Sequence, residues 1–171
     1  MTTWLRAALA VQLAFFAVWG ARLLTSHRDV ATVWLATEPV DPRDLLSGNY
    51  VALRYPMGDP AHTGCHLPIA ADTVHLRLAP TGEEVTVAGG PMPLWAPVEC
   101  RLDPPDIGDG EVWLTGQVDA ESGRRSVRYG IERFYVPENS RLREARSGTV
   151  VAEVAVNDAG EARLVDLVPK Q

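Results

Sequence analysis

Apolar residues crowd the start of the chain and then give way to period-two alternation, and that change of texture near residue 29 divides the sequence. Residues 4–24 read Trp-Leu-Arg-Ala-Ala-Leu-Ala-Val-Gln-Leu-Ala-Phe-Phe-Ala-Val-Trp-Gly-Ala-Arg-Leu-Leu, and only Gln12 interrupts the apolar run Ala7–Ala21. The run is short for a full crossing. With Arg6 and Arg22 snorkelling and Trp4 and Trp19 at interfacial depth, it predicts an uncleaved transmembrane anchor. A cleaved signal peptide is the rival reading, and a buried core helix the third. Val18-Trp19-Gly20 is a poor small-x-small cleavage site, which favours the anchor. The chain therefore divides into an anchor over 1–28 and a body over 29–171, with no linker that would split the body. Charge bias leaves the orientation open, because Arg6 faces Arg22 and Arg28 across the run.

In the body the alternation predicts strands. Val30–Ala36 is the first. After a Gly48-Asn49 turn, Val51, Leu53 and Tyr55 fall on one face and Tyr50, Ala52 and Arg54 on the other. Pro56–Ala71, with its prolines and glycines, predicts an irregular loop. Thr73–Leu78 and Glu84–Ala88 predict a hairpin about Thr81-Gly82. The Pro- and Gly-rich stretch 89–110 predicts a long loop or a proline-limited edge. Glu111–Val118 and Ser126–Val136 pair across Ser122-Gly123. Pro137 ends that second strand and opens a short helix near 139–146, capped by Asn139 or Ser140 and stopped at Gly148. Val150–Val156 and Ala162–Val168 form a last hairpin about Asn157–Gly160. The predicted fold is mainly β and mostly antiparallel.

Two strings carry a resemblance. Asp41-Pro42-Arg43-Asp44-Leu45-Leu46-Ser47-Gly48-Asn49-Tyr50-Val51-Ala52-Leu53-Arg54-Tyr55 resembles the signature of the GDYXXLXY family, and Tyr129-Gly130-Ile131-Glu132-Arg133-Phe134-Tyr135-Val136-Pro137-Glu138 is similar to a second segment of the same family. The likeness runs from about Val30 to Val168 with both strings in order. It implies a bacterial, membrane-anchored protein with no assigned activity, of a kind often encoded beside or joined to multi-pass membrane proteins. On that resemblance the expected role is a non-enzymatic accessory subunit of an envelope complex, at the bacterial cell membrane with an extracytoplasmic body. A small-ligand (glycan or peptide) binding domain is the alternative, and a carboxylate-dependent hydrolase the third.

The chain of 171 residues carries a formal charge of −6. Residues 1–24 hold only Arg6 and Arg22, so the rest has 14 basic against 22 acidic side chains, or −8. Such a body is repelled by phosphate backbones, which excludes nucleic acid as the expected partner. The only lysine is Lys170 near the end of the chain. A serine–lysine mechanism of the signal-peptidase kind needs a buried lysine as base, and arginine stays protonated, so that chemistry is excluded.

The loop Asp59–His66 gathers His62, Cys65 and His66, with His75 following, but no second ligand half stands at a familiar zinc spacing, so neither metal nor cofactor is expected. Cys65 and Cys100, in two proline-rich loops of a chain with an export-like start, predict a disulfide worth about 3–4 kcal/mol in the chain-entropy model. Asp41, Asp44, Glu132 and Glu138 are candidate acid–base carboxylates. However, Asn49 stands where the family usually has Asp, and an amide is no general base, so a structural turn is the better reading there. The candidate recognition face comprises Arg43, Asp44, Asn49, Tyr50, Tyr55, Glu132, Arg133, Tyr135 and Glu138, because arginine and tyrosine dominate binding hot spots. Against this, Leu53 and Tyr55 are also good core residues.

Overall fold

A computed structural model of the chain describes residues 2–25, 29–39, 50–87, 90–108, 110–121, 124–135 and 147–170. The chain begins with helix α1 (Thr2–Thr25). Its apolar residues lie all round the axis, and side chains such as Trp4, Phe15, Phe16 and Trp19 are 54–86% exposed. None of its described residues joins a core cluster. Among the described residues no helix is long and apolar enough to cross a membrane, so a membrane-spanning helix is not supported. The physical reason is length: the run Ala7–Ala21, at about 1.5 Å per residue, covers roughly 22 Å against a hydrocarbon core of about 30 Å.

Seven strands form one sheet: β1 (Asp29–Ala36), β3 (Thr73–Val87), β4 (Gly90–Arg101), β5 (Val112–Glu121), β6 (Arg124–Arg128), β8 (Val150–Asn157) and β9 (Ala162–Pro169). Their order is β6-β5-β3-β4-β1-β8-β9, and only the β1–β4 pair is parallel. Short strands β2 (Tyr50–Ala52) and β7 (Arg133–Tyr135) form a separate antiparallel ribbon. Between β2 and β3 lie a 3₁₀ turn (Pro56–Gly58) and one helical turn, α2 (Pro60–Thr63), where Asp59 caps by accepting from the Ala61 N–H.

The alternation read from the sequence sets the burial. Val74, Leu76 and Leu78 of β3 are buried together with Val33 and Leu35 of β1, and Val51, Leu53 and Tyr55 join them from the ribbon side. The ribbon thus lies over one face of the sheet and shares its core. Trp34, on the other face of β1, packs with Val85 and Val151 under the outer half of β3 and β4. β8 is buried on both faces, which suits its nearly unbroken Val/Ala run. The sheet curls until β5 meets the turn between β8 and β9. There the Thr115 N–H donates to the Gly160 carbonyl at 2.8 Å, and His75 Nδ1 lies 3.0 Å from Thr115 Oγ1.

Three sequence expectations are corrected. Thr81-Gly82 is no hairpin reversal: β3 runs through it to Val87, and the register passes from Pro80↔Trp95 to Glu84↔Pro93 with extra residues on β3. Thr81 absorbs them, accepting from the Glu83 N–H and donating to the Leu94 carbonyl, while Gly82 takes φ 85°. The stretch 89–110 is not all loop, because its first half is β4. That strand meets β1 only at Leu94 and Trp95, so Pro91, Pro93 and Pro97 face little demand for a second ladder donor. Ser126–Val136 is not one strand. β6 stops at Arg128, Gly130 turns the chain at φ 80°, and Arg133–Tyr135 pairs with β2 instead. The predicted helix near 139–146 and the Gly48-Asn49 turn lie outside the described residues.

Gly116 tests the packing between β5 and the second string. A Cβ there would meet Val127 Cγ1 and lie 2.6 Å from Tyr129 Cε1, so Gly116→Ala is expected to lower stability by about 1–3 kcal/mol in urea unfolding. His75 supplies a pH dependence. Burial lowers its pKa below the usual histidine value, with Asp103 opposing. The unfolded chain therefore takes up the proton first, and stability is lost as pH falls below about 6.5. Between about pH 7.5 and 5.5 the wild-type urea midpoint should fall further than that of His75→Gln. Equal falls would show that His75 does not contribute.

Candidate functional site

The two signature strings meet in the β2–β7 ribbon, and backbone pairing alone does not explain how they hold. The Leu53 N–H donates to the Glu132 carbonyl at 2.8 Å. Tyr55 reaches across the core and donates its hydroxyl to the Ile131 carbonyl at 3.0 Å, while Tyr129 reaches back to the Met57 carbonyl at 2.9 Å. Tyr55 thus satisfies a carbonyl of the second string, and Tyr129 one in the turn that follows the first. Gly130 allows the turn that lets the Glu132 carboxylate accept from the Tyr129 N–H at 2.6 Å. The far side of the first string is fixed as well. Its Arg54 N–H donates to Ser147 Oγ at 3.0 Å, and the Arg54 carbonyl accepts from the Glu38 N–H at 2.8 Å.

Burial, and after it the charge of Glu132, raises the pKa of both Tyr55 and Tyr129 well above the ordinary tyrosine value. Their hydroxyls stay protonated at physiological pH and act as donors. Tyr55, 3% exposed, is a core residue and not part of a recognition surface. Glu132 serves the backbone, as carboxylates at turns commonly do.

The outward face of the ribbon is different. Tyr50 opposes Tyr135 and Ala52 opposes Arg133 across the ladder, while Val51 and Phe134 point the other way. The Tyr50 and Tyr135 rings are 5.9 Å apart with planes tilted by 55°. The Arg133 guanidinium lies over the Tyr50 ring at 5.5 Å. Tyr135 is 72% exposed. The tilted ring–ring contact and the cation–π contact hold these three side chains in a defined arrangement, and such a surface can bind aromatic, apolar or anionic groups. Of the nine predicted residues, Tyr50, Arg133 and Tyr135 come together on the surface, and Tyr55 and Glu132 support them from beneath. Arg43, Asp44, Asn49 and Glu138 lie outside the described residues, as does Asp41.

Cys65 and Cys100 are joined, with Cα atoms 5.7 Å apart. The bond removes Cys65 as a metal ligand, and among the described residues no group of three or more His, Cys, Asp or Glu side chains could hold a metal ion. Sequence reasoning missed Tyr129 and Ser147 as positioning residues. Tyr129 was legible in principle as the first residue of its string, but its partner, the Met57 carbonyl, stands 72 residues away.

A family model described as GDYXXLXY protein matches residues 12–167, a span that includes both strings. No curated protein and no solved structure matches the chain.

The two layers of the ribbon should respond differently to substitution. Tyr55→Phe and Tyr129→Phe each strand a buried carbonyl and should cost about 1–2 kcal/mol. Tyr135→Ala should stay within about 0.5 kcal/mol of wild type in the same urea titration. A large loss for Tyr135→Ala would make that ring structural.

Proposed function

The chain belongs to the GDYXXLXY family, and from that premise we propose that it is a non-enzymatic, membrane-attached accessory subunit of a bacterial envelope complex. In this reading the β body docks onto a multi-pass membrane protein through the outer face of the β2–β7 ribbon. The observation that carries the proposal is the pre-arranged trio of half-buried Tyr50 with exposed Arg133 and Tyr135. Rigid aromatic side chains lose little entropy on binding, and tyrosine and arginine are the residues on which interfaces most often depend.

Three further observations support the reading. The exposed apolar surface of α1 needs a covering, and a membrane supplies one, with Arg6 and Arg22 reaching the headgroups. A Cys65–Cys100 disulfide suits an oxidising, extracytoplasmic compartment. Tyr55, Tyr129 and Glu132 of the described strings are committed, both buried tyrosines as donors and Glu132 to a backbone N–H. The exposed Tyr135 ring would also stack on a glycan or a peptide, and that is the second reading.

Purification of the full chain from its native membrane in mild detergent separates the two. A stoichiometric multi-pass protein should accompany the wild type, and its recovery should fall at least roughly tenfold with Arg133→Ala or Tyr135→Ala if the trio is a hot spot. A clean monomer, or a partner indifferent to both substitutions, would overturn the docking proposal.

A further inference from the structure

Where the curled sheet closes on itself, the structure leaves a cleft of about 280 Å³. The start of β1 and the end of β8 form one side through Ala31 and Val156, and β5 and the preceding loop form the other through Val112 and Ile107. These walls are apolar. Glu111 and Trp113, with Asn157 and Asp158 from the β8–β9 turn, complete the lining.

Glu111 is held in place. Its Oε2 accepts from the Trp113 indole N–H at 2.9 Å and from the Gly108 N–H at 3.4 Å. The indole hydrogen bond keeps its pKa below the usual carboxylate range, although partial desolvation opposes it, so the group is ionised at neutral pH. The charge of Arg77 also favours its ionised form. Arg77 and Arg101 both pair with Glu99, at 2.9 and 2.7 Å, and Arg101 lies over the Trp113 ring at 5.4 Å. The Asn157 amide is occupied within its own turn, accepting from the Ala159 and Glu161 N–H groups and donating to the Glu161 carboxylate. What remains is an ionised carboxylate fixed through one oxygen, beside an apolar slot of side-chain size, with Asp158 adding negative charge.

We propose that this cleft binds an organic ammonium ion with a short apolar stem, the ammonium on Glu111 and the stem between Ala31, Ile107, Val112 and Val156. An apolar slot pays for burying the methylene groups, and the fixed carboxylate supplies a charge-assisted hydrogen bond that a neutral isostere lacks. The site is independent of the ribbon face, which lies in other elements. A butylammonium group is both a free amine and the end of a lysine side chain, so the chemistry is shared by a soluble amine and a peptide lysine.

Titration of the full-length chain in detergent, followed by NMR of the Trp113 indole resonance, tests the proposal. The probes are n-butylammonium, its neutral isostere 1-butanol, and Nα-acetyl-lysine methylamide. Saturable binding of n-butylammonium is expected by about 10 mM, with 1-butanol at least roughly tenfold weaker. Glu111→Gln should remove that difference. Ala31→Leu, which fills the slot and leaves the carboxylate in place, should weaken n-butylammonium even if Glu111→Gln folds poorly. Binding of the capped lysine as tightly as the free amine would identify a peptide source, and its exclusion a small-molecule source. No saturation, equal binding of amine and alcohol, or indifference to Ala31→Leu would overturn the proposal.

Discussion

Two hydroxyl-to-carbonyl hydrogen bonds, from Tyr55 to Ile131 and from Tyr129 to Met57, are the constraint on which the rest of the body depends. They run in opposite directions between chain segments more than 70 residues apart. A two-stranded ribbon as short as β2–β7 is marginal on its own. Docked by these bonds and by Val51, Leu53 and Ile131, it becomes the cover of the sheet's core. The cover in turn gives the outer face a fixed base. The contact between Tyr50 and Tyr135 keeps its place on the outer face because a one-residue slip would exchange the inner and outer sets.

The same logic divides the signature by parity. Odd positions 51, 53 and 55 are buried, and Tyr50 and Arg54 of the even set face outward or are half-buried. The tyrosines of the two strings are not equivalent. Tyr55 closes the core, whereas Tyr135 is offered to solvent. The acidic body, the disulfide and the apolar first helix are consistent with a module held beside a membrane, with recognition concentrated on one small surface.

Much of this was legible in the sequence because period-two patterning is local. The burial of Val74, Leu76 and Leu78, the Val51–Tyr55 face, the last hairpin and the Cys65–Cys100 bond all follow from neighbours or from composition. The misreadings share a cause. Gly-containing turn chemistry also makes bulges and corners, so Thr81-Gly82 resembled a reversal and Gly130 was read as an ordinary strand position. After Gly130 the parity resets: Tyr129 and Ile131 are buried, but Arg133 and Tyr135 are exposed. The β5 contact with the β8–β9 turn, and the cleft beside it, depend on closure of the whole sheet and left no local trace.

In the proposed role the outer face of the ribbon, and not the sheet at large, contacts a partner. A photo-crosslinking residue placed at Tyr135 in the full chain, irradiated in native membranes, tests it most directly, with the same residue at Val165 on the sheet-edge strand β9 as the comparison. One discrete adduct with a membrane protein is expected from position 135 and none from position 165. The same adduct from both positions, or none from 135, would contradict it.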